Sequence, residues 1–441
     1  MTYLTARHKS ITAIALTCIA LYMAACTTPH GGLFAKKTAH EQYAGSIKDA
    51  GLAGSALGSL WFAAAQKALT RPLTVTLPYK ETGYFAAEKP DAAGYLFTAR
   101  RGEQLNIEIT TRSLTGLTLF ADLWQPATGN AQPTLLTAAD TNLLHLQYEV
   151  EKDGRFILRL QPELLQQGGY AVTITTRPSL AFPVPGNRPP HIGSFWGDSR
   201  DAGGRHHEGI DIFGKFRTPV VAAASGFISS TQPNNLGGKV IFLQPAGKAY
   251  SLYYAHLDSV LVTTGQQVST GDTLGLMGNT GNARNTPTHL HFGIYTGHGA
   301  IDPLPFVKTG GAAPAAVTAD TGLLQQTVHS AGRTALHVSL EKGSAPAQLP
   351  ANQVMRVTAA AGGWYKVVLP DSLEGFVNSK AVSARPYKKE VTSTIIRLLD
   401  APDTLAAVKA TVPAGADISL LGQQGSFRFI SYGGQTGWVQ L

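Results

Sequence analysis

Short runs of alternating apolar and polar residues, cut by glycine turns, recur along most of this chain. In "YLFTARRGEQLNIEIT" (residues 95–110), Leu105, Ile107 and Ile109 alternate with polar neighbours after a turn at Arg101-Gly102. An extended strand sends successive side chains to opposite faces, so such a run buries one face and wets the other. "GRFILRLQ" and "GGYAVTITT" repeat the signal. The 47 Gly, the 25 Pro and a charged fraction of only 15% suit turn-rich sheet better than helix. At 441 residues the chain is too long for one ordinary core. The reading is a mainly β, multidomain protein.

Residues 1–26 form the first unit. Arg7 and Lys9 precede an apolar run over 11–23, and small residues lead to Cys26. A basic start, a short apolar stretch and a small-residue site describe a secretory signal, too short for a comfortable membrane span. "LYMAAC" resembles the lipobox of bacterial lipoproteins, which makes Cys26 the expected lipidated residue and the membrane a partner through that anchor. Thr27 follows it, so an outer-membrane lipoprotein facing the periplasm is expected. Cys18, the only other cysteine, lies inside the removed segment. The mature protein then has neither an intramolecular disulfide nor a thiolate metal site, and any metal must be held by His and carboxylate. Two of the bases behind the formal charge of +8 leave with the signal. The mild remaining basicity suits anionic wall polymers or membrane surfaces, and no nucleic-acid partner is expected.

Residues 27–71 read as a tether and a short helical segment. "HEQYAGSIKDAG" closes on Gly51, "SALGSLWFAAAQKAL" opens at Ser55, and Leu57, Leu60, Trp61 and Ala64 make the expected apolar face. Residues 72–180 read as an accessory antiparallel β-sandwich, similar in patterning to the pre-peptidase C-terminal type. "SLAFPVPGNRPP" looks like a linker to 190–308, and "TGGAAPAAVTAD" like another after it. The tail repeats itself at a fixed offset. Pro350-Ala351 answers to Pro413-Ala414, Trp364 to Phe427, and "EGFV" to "TGWV" one residue out of step. These short strands resemble paired bacterial SH3-like domains, so two small barrels are expected at 321–385 and 386–441. Trp364, Phe427 and Trp438 lie in the repeat-defining strands and are expected in the cores.

The histidines concentrate in 190–308. In "RHHEGIDIFG" (205–214), His207 and Asp211 share parity along an extended segment and can point together. The "HE" at His207-Glu208 is not the helical metalloprotease motif, because Asp211 stands where a second His is needed and Gly209 disfavours helix. In "THLHFGIY" (288–295), His289 and His291 leave one face of a strand while Leu290 and Phe292 leave the other. The two segments could supply a site of two His and one carboxylate. Spacing alone leaves open which of His289 and His291 binds metal. "YSLYYAHLDSV" adds His256 on a third strand.

His-x-x-x-Asp, then Tyr-x-His-Leu, then His-Leu-His-Phe, in that order, resembles the lysostaphin-type (LytM-like) zinc metallopeptidases. "TPVVAAASGFI" and "GQQVSTGDTLGLMGNTGNA" resemble the family's intervening strands. The resemblance covers roughly 193–306. It implies an antiparallel-β peptidase domain and one zinc ion held by His207, Asp211 and His291. His256 and His289 become the catalytic histidines, in an order it does not decide. Three ligands leave a fourth tetrahedral position for water, and zinc brings the pKa of such a water to about 7. Gly293 is a departure, since an acidic residue is common after the Phe.

The function implied is hydrolysis of peptide cross-links in peptidoglycan, with the bond cut left open. The alternative is a catalytically silent activator or wall-binding scaffold. A non-haem iron oxygenase also uses two His and one carboxylate, but its His-x-Asp spacing is absent. The lipoyl-carrier resemblance of "VVAAASGFI" lacks the required hairpin lysine.

Overall fold

The computed structural model describes residues 36–440 apart from 114–115, 128, 130, 187–190, 201–202 and 309–311. The expected signal segment, Cys26 and most of the tether lie outside the described residues. The first helix, Ala39–Asp49, starts at a capping box in which Thr38 and Glu41 satisfy each other's backbone N–H. Gly51, at φ 70°, ends the turn beyond it. The second helix, Ala56–Thr70, is capped by Ser55, whose hydroxyl accepts from Gly58 N.

The buried stripe of this helix is Gly58, Trp61, Ala65, Ala68 and Leu69. Leu60, expected to be apolar contact, is instead 50% exposed. Trp61 sets the rotation. Its indole stacks on His40 at 4.8 Å and donates to the Pro162 carbonyl at 2.9 Å. His40 also touches Arg159, which forms a buried pair with Asp122 at 2.6 Å. The helices are thereby docked on the sheet that follows.

That sheet has five strands, with Ala93–Ala99, Gly154–Pro162 and Leu119–Gln125 at its centre. It packs face to face on a second sheet containing Tyr79–Phe85, Gly168–Pro178 and Glu103–Arg112. Alternate residues of both, such as Tyr95, Phe97, Leu158, Leu105, Ile107 and Val172, share one core. One pair, Leu73–Thr74 with Tyr95 and Leu96, is parallel, against the antiparallel expectation.

The second sheet does not stop at 178. Thr82 and Gly83 pair with Ala360 and Ala359, so the strands Val354–Ala361, Trp364–Val368 and Glu374–Asn378, with Thr327–Ser330 and Val382–Ser383 beside them, continue it to nine strands. The first repeat thus shares a sheet with the sandwich while keeping an apolar core of its own around Val328, Met355, Val357, Tyr365, Val367 and Val377. Its Lys366 reaches Glu81 at 2.9 Å, and Phe376 joins the sandwich core. The second repeat forms its own six-stranded sheet. Its strands Asp417–Gln424, Phe427–Tyr432 and Gln435–Gln440 reproduce the meander of the first, with Trp364 and Phe427 opening equivalent strands. Trp438 is buried between the repeats beside Val354 and Leu399, while Trp364 and Phe427 are half-buried at the core margins.

Residues 180–184 of the segment read as a linker pack into the next unit. Leu180 is buried in that core, with Phe182 and Val184 packed against it. Its backbone bonds Phe306, Ala223 and Val221. Its proline and glycine content suggested a linker, but Leu180, Phe182 and Val184, two residues apart, pack on the core. The unit itself is a ten-stranded sheet, in which Ile210–Phe213, His289–Thr296, Tyr250–Val260 and Lys239–Pro245 lie in that order. All of these pairs are antiparallel. The unit leans on the sandwich where Phe306 covers Gly102 and where Lys248 and Tyr250 meet Glu149.

Candidate metal centre

Antiparallel register brings the three histidine segments together. Asp211 lies directly across from His291, and His291 lies across from Ala255, next to His256. Ile210, Ile212, Leu290 and Phe292 point the other way into the core. That alternation turns Asp211, His289 and His291 onto one face. The backbone leaves strand geometry at His207, and the bend before Ile210 brings the ring back over Asp211.

Gly209 permits the bend. A Cβ there would come within 2.5 Å of the Phe292 carbonyl and 2.7 Å of the His291 ring. His256 is aimed by a bulge. Pairing with Lys239–Pro245 slips between Leu257 and Tyr254, and His256 within the slip takes φ 63°. Such a backbone, costly for a non-glycine residue, places a side chain that regular strand would direct elsewhere.

His207 Nε2, Asp211 Oδ1 and His291 Nδ1 form a near-equilateral triangle with sides of 3.0, 3.1 and 2.9 Å. The His207 Nδ1–H donates to the Phe195 carbonyl at 2.8 Å. His207 thereby turns Nε2 toward Asp211 Oδ1 and His291 Nδ1, an arrangement in which two ring nitrogens and a carboxylate oxygen can share a cation. A tetrahedral shell with bonds of ~2.0 Å has edges of about 3.3 Å, close to the triangle found. The donor set fits zinc. Among the described residues this is the one cluster of three such side chains within ligand reach.

The other Asp211 oxygen, Oδ2, accepts from Arg200 Nη2 at 3.1 Å. Arg200 also binds Ser194, whose hydroxyl donates to Asp198 at 2.8 Å. Burial opposes ionisation of Asp211, but the His207 and His291 imidazoles beside it outweigh this and hold its carboxyl far below the usual carboxylate range. Burial lowers His291.

His289 and His256 flank the triangle, with their rings 4.9 Å apart. Each spends Nδ1–H on a backbone carbonyl, His289 on Pro287 at 2.8 Å and His256 on Thr280 at 2.9 Å. Each keeps Nε2 as the free acceptor. His289 Nε2 stands 3.9 Å from Asp211 Oδ1. Burial, then the neighbouring His289 and His291, push His256 down to about 4, so it is neutral near pH 7. All five residues line one cleft of about 1250 Å³, and among the described residues its walls are drawn from 193–297 alone.

The structure thus gathers His207, Asp211, His256, His289 and His291. Sequence reasoning did not find Arg200, Ser194 and Asp198. Asp198 accepts from Phe195 N, three residues back, a closure that "SFWGDSR" does not announce. The carbonyls of Phe195, Thr280 and Pro287 leave no side-chain signature.

The profile of Peptidase family M23 matches residues 205–303. The L-Ala–D-Glu endopeptidase of Bacillus subtilis is 35% identical over 140 residues, 29% of this chain and 43% of that protein. The peptidoglycan DD-endopeptidase ShyA of Vibrio cholerae is 38% identical over 86 residues, 20% and 19% of the two chains. Each match spans less than half of the relative's length. The solved catalytic domain of lysostaphin from Staphylococcus simulans is 32% identical, with 27% of this chain covering 93% of it at a TM-score of 0.25. Residues 205–303 are thus a domain of peptidase family M23, homologous to lysostaphin and to endopeptidases.

Proposed function

We propose that this chain is a zinc-dependent peptidoglycan endopeptidase that hydrolyses peptide cross-links of the bacterial wall. The observation that carries the reading is the convergence of three metal-ligand atoms beside two histidines, each of which retains a bare Nε2. Relatives named as peptidoglycan or glycyl-glycine endopeptidases support the substrate class. When bound, zinc supplies a Lewis acid that acidifies water and polarises a carbonyl.

The protein supplies position and proton transfer. His207, Asp211 and His291 hold the ion, with the Phe195 carbonyl and Arg200 fixing the ring and carboxylate orientations. One of His256 and His289 takes the proton that water loses as its oxygen bonds the scissile carbonyl carbon. The C–N bond then breaks, and the proton ends on the departing amine nitrogen.

The same reading treats residues 72–180 and the tail repeats as accessory units that position the enzyme or bind wall polymer. It keeps Cys26 as a lipid anchor that would hold the enzyme at the outer membrane, facing the periplasm. Unchanged processing and membrane fractionation of Cys26→Ser would remove the anchor. Mass spectrometry of muropeptides from purified sacculi tests the activity. The zinc-loaded full chain should convert cross-linked species to uncross-linked ones and Asp211→Ala should not. An unchanged muropeptide profile with the wild type contradicts the proposal.

A further inference from the structure

Among the described residues, three carboxylates line the cleft: Asp198, Glu208 and Asp211. Two are committed within the protein. Asp198 accepts from Ser194 and from Phe195 N, while Asp211 belongs to the ligand triangle and to Arg200. Glu208 differs. It is exposed, and its Oε2 accepts from the Tyr295 hydroxyl at 3.2 Å. Tyr295 stands perpendicular to Tyr253, with ring centres 5.7 Å apart, and Asn234 Nδ2 donates to the Tyr253 hydroxyl at 3.1 Å.

Gly293 makes room for this wall. A Cβ there would lie 3.0 Å from the Tyr295 ring and 3.2 Å from the Glu208 carbonyl, so a side chain would press the two apart. One side of the cleft therefore carries a carboxylate and two braced phenol rings, one residue along the chain from ligand His207. A carboxylate beside aromatic faces is complementary to an ammonium ion. Its N–H groups can donate to the carboxylate, and its charge is attracted to the ring face.

We propose that Glu208, Tyr295 and Tyr253 form a subsite for a substrate ammonium group, such as the free side-chain amine of a diamino-acid residue in a wall peptide. The inference rests on the reading of this cleft as a peptidase site. It can be tested without turnover, by calorimetric binding of Nα-acetyl-L-Lys-D-Ala-D-Ala and its Nα,Nε-diacetyl form to the zinc-loaded full chain.

The free-amine peptide should bind roughly three- to tenfold tighter, the size expected of a partly exposed charge pair beside a ring. Glu208→Gln should bring the ratio close to one at unchanged zinc content. Tyr295→Leu, which does not border a metal ligand, should reduce the ratio as well. Equal affinities in the wild type, no binding of either peptide, or a ratio preserved in both variants overturns the proposal. Sacculus hydrolysis is read separately, so the subsite and the endopeptidase activity can fail independently.

Discussion

Glu81, in the sandwich, is fully buried and receives four donors: Tyr79, Tyr95, Tyr170 and Lys366, at 2.5, 2.6, 2.7 and 2.9 Å. Asp211, in the peptidase unit, is nearly as buried, but it faces His207 Nε2 and His291 Nδ1 at the mouth of a cleft. The first cluster places three donors on Oε1 and one on Oε2 of its carboxylate, and it is sealed. It joins the sandwich to the first repeat by offsetting the cost of burying charge. The second cluster aims acceptors at one point and leaves one side open. Charge taken out of water stabilises an interface where donors complete it, and leaves room for a cation where they do not.

Substitutions separate the two clusters, with the largest effect expected at the open one. Changing His207, Asp211 or His291 to Ala should abolish turnover, because a missing ligand breaks the tetrahedral shell. Full hydrolysis of sacculi by any of the three would break the comparison. His256→Ala and His289→Ala should retain zinc but lose roughly a hundredfold to ten-thousandfold in turnover, the range for a general acid or base. Single-turnover rates on a cross-linked peptide read this directly, and normal rates in both variants remove them from the mechanism.

At the sealed cluster, Lys366→Ala leaves Glu81 buried without its cation. It should cost about 3–5 kcal/mol of stability, whereas the double change Glu81→Met with Lys366→Met should be far milder. Urea denaturation of the three proteins checks this, and an additive double variant would deny the coupling. The pH dependence has a definite sign. Burial disfavours the Glu81 carboxylate, but Lys366 and the tyrosines outweigh this and hold it below its ordinary 4.5. Its contribution is present above that value and should vanish as pH falls through the lowered one. The smallest effect should come from Arg200→Gln. Loss of the contact that orients Asp211 should weaken zinc affinity by about 10–100-fold, as measured by chelator competition.

The open cluster was legible in the sequence because strand parity and register are simple. His289 and His291 sit two apart, Leu290 and Phe292 mark the opposite face, and the motif order matched a family. His256 was visible only as a histidine on a strand, since the bulge that aims it comes from a register slip with Lys239–Pro245. The sealed cluster was not seen at all. Glu81 and Lys366 are far apart in the chain, and each looks like an ordinary solvent-facing residue within its own alternating run. The repeat in the tail was legible, but its continuity with the sandwich depends on pairing between Gly83 and Ala359, which no local pattern announces. The apparent linker misled because Leu180, Phe182 and Val184 alternate among prolines, and packing, not composition, decides their role.

The most direct test is zinc stoichiometry by elemental analysis after dialysis, on the wild type, Asp211→Ala and Glu81→Gln. The account predicts one zinc per chain in the wild type, none in Asp211→Ala and one in Glu81→Gln. A zinc-free wild type, or full zinc retention in Asp211→Ala, would contradict it.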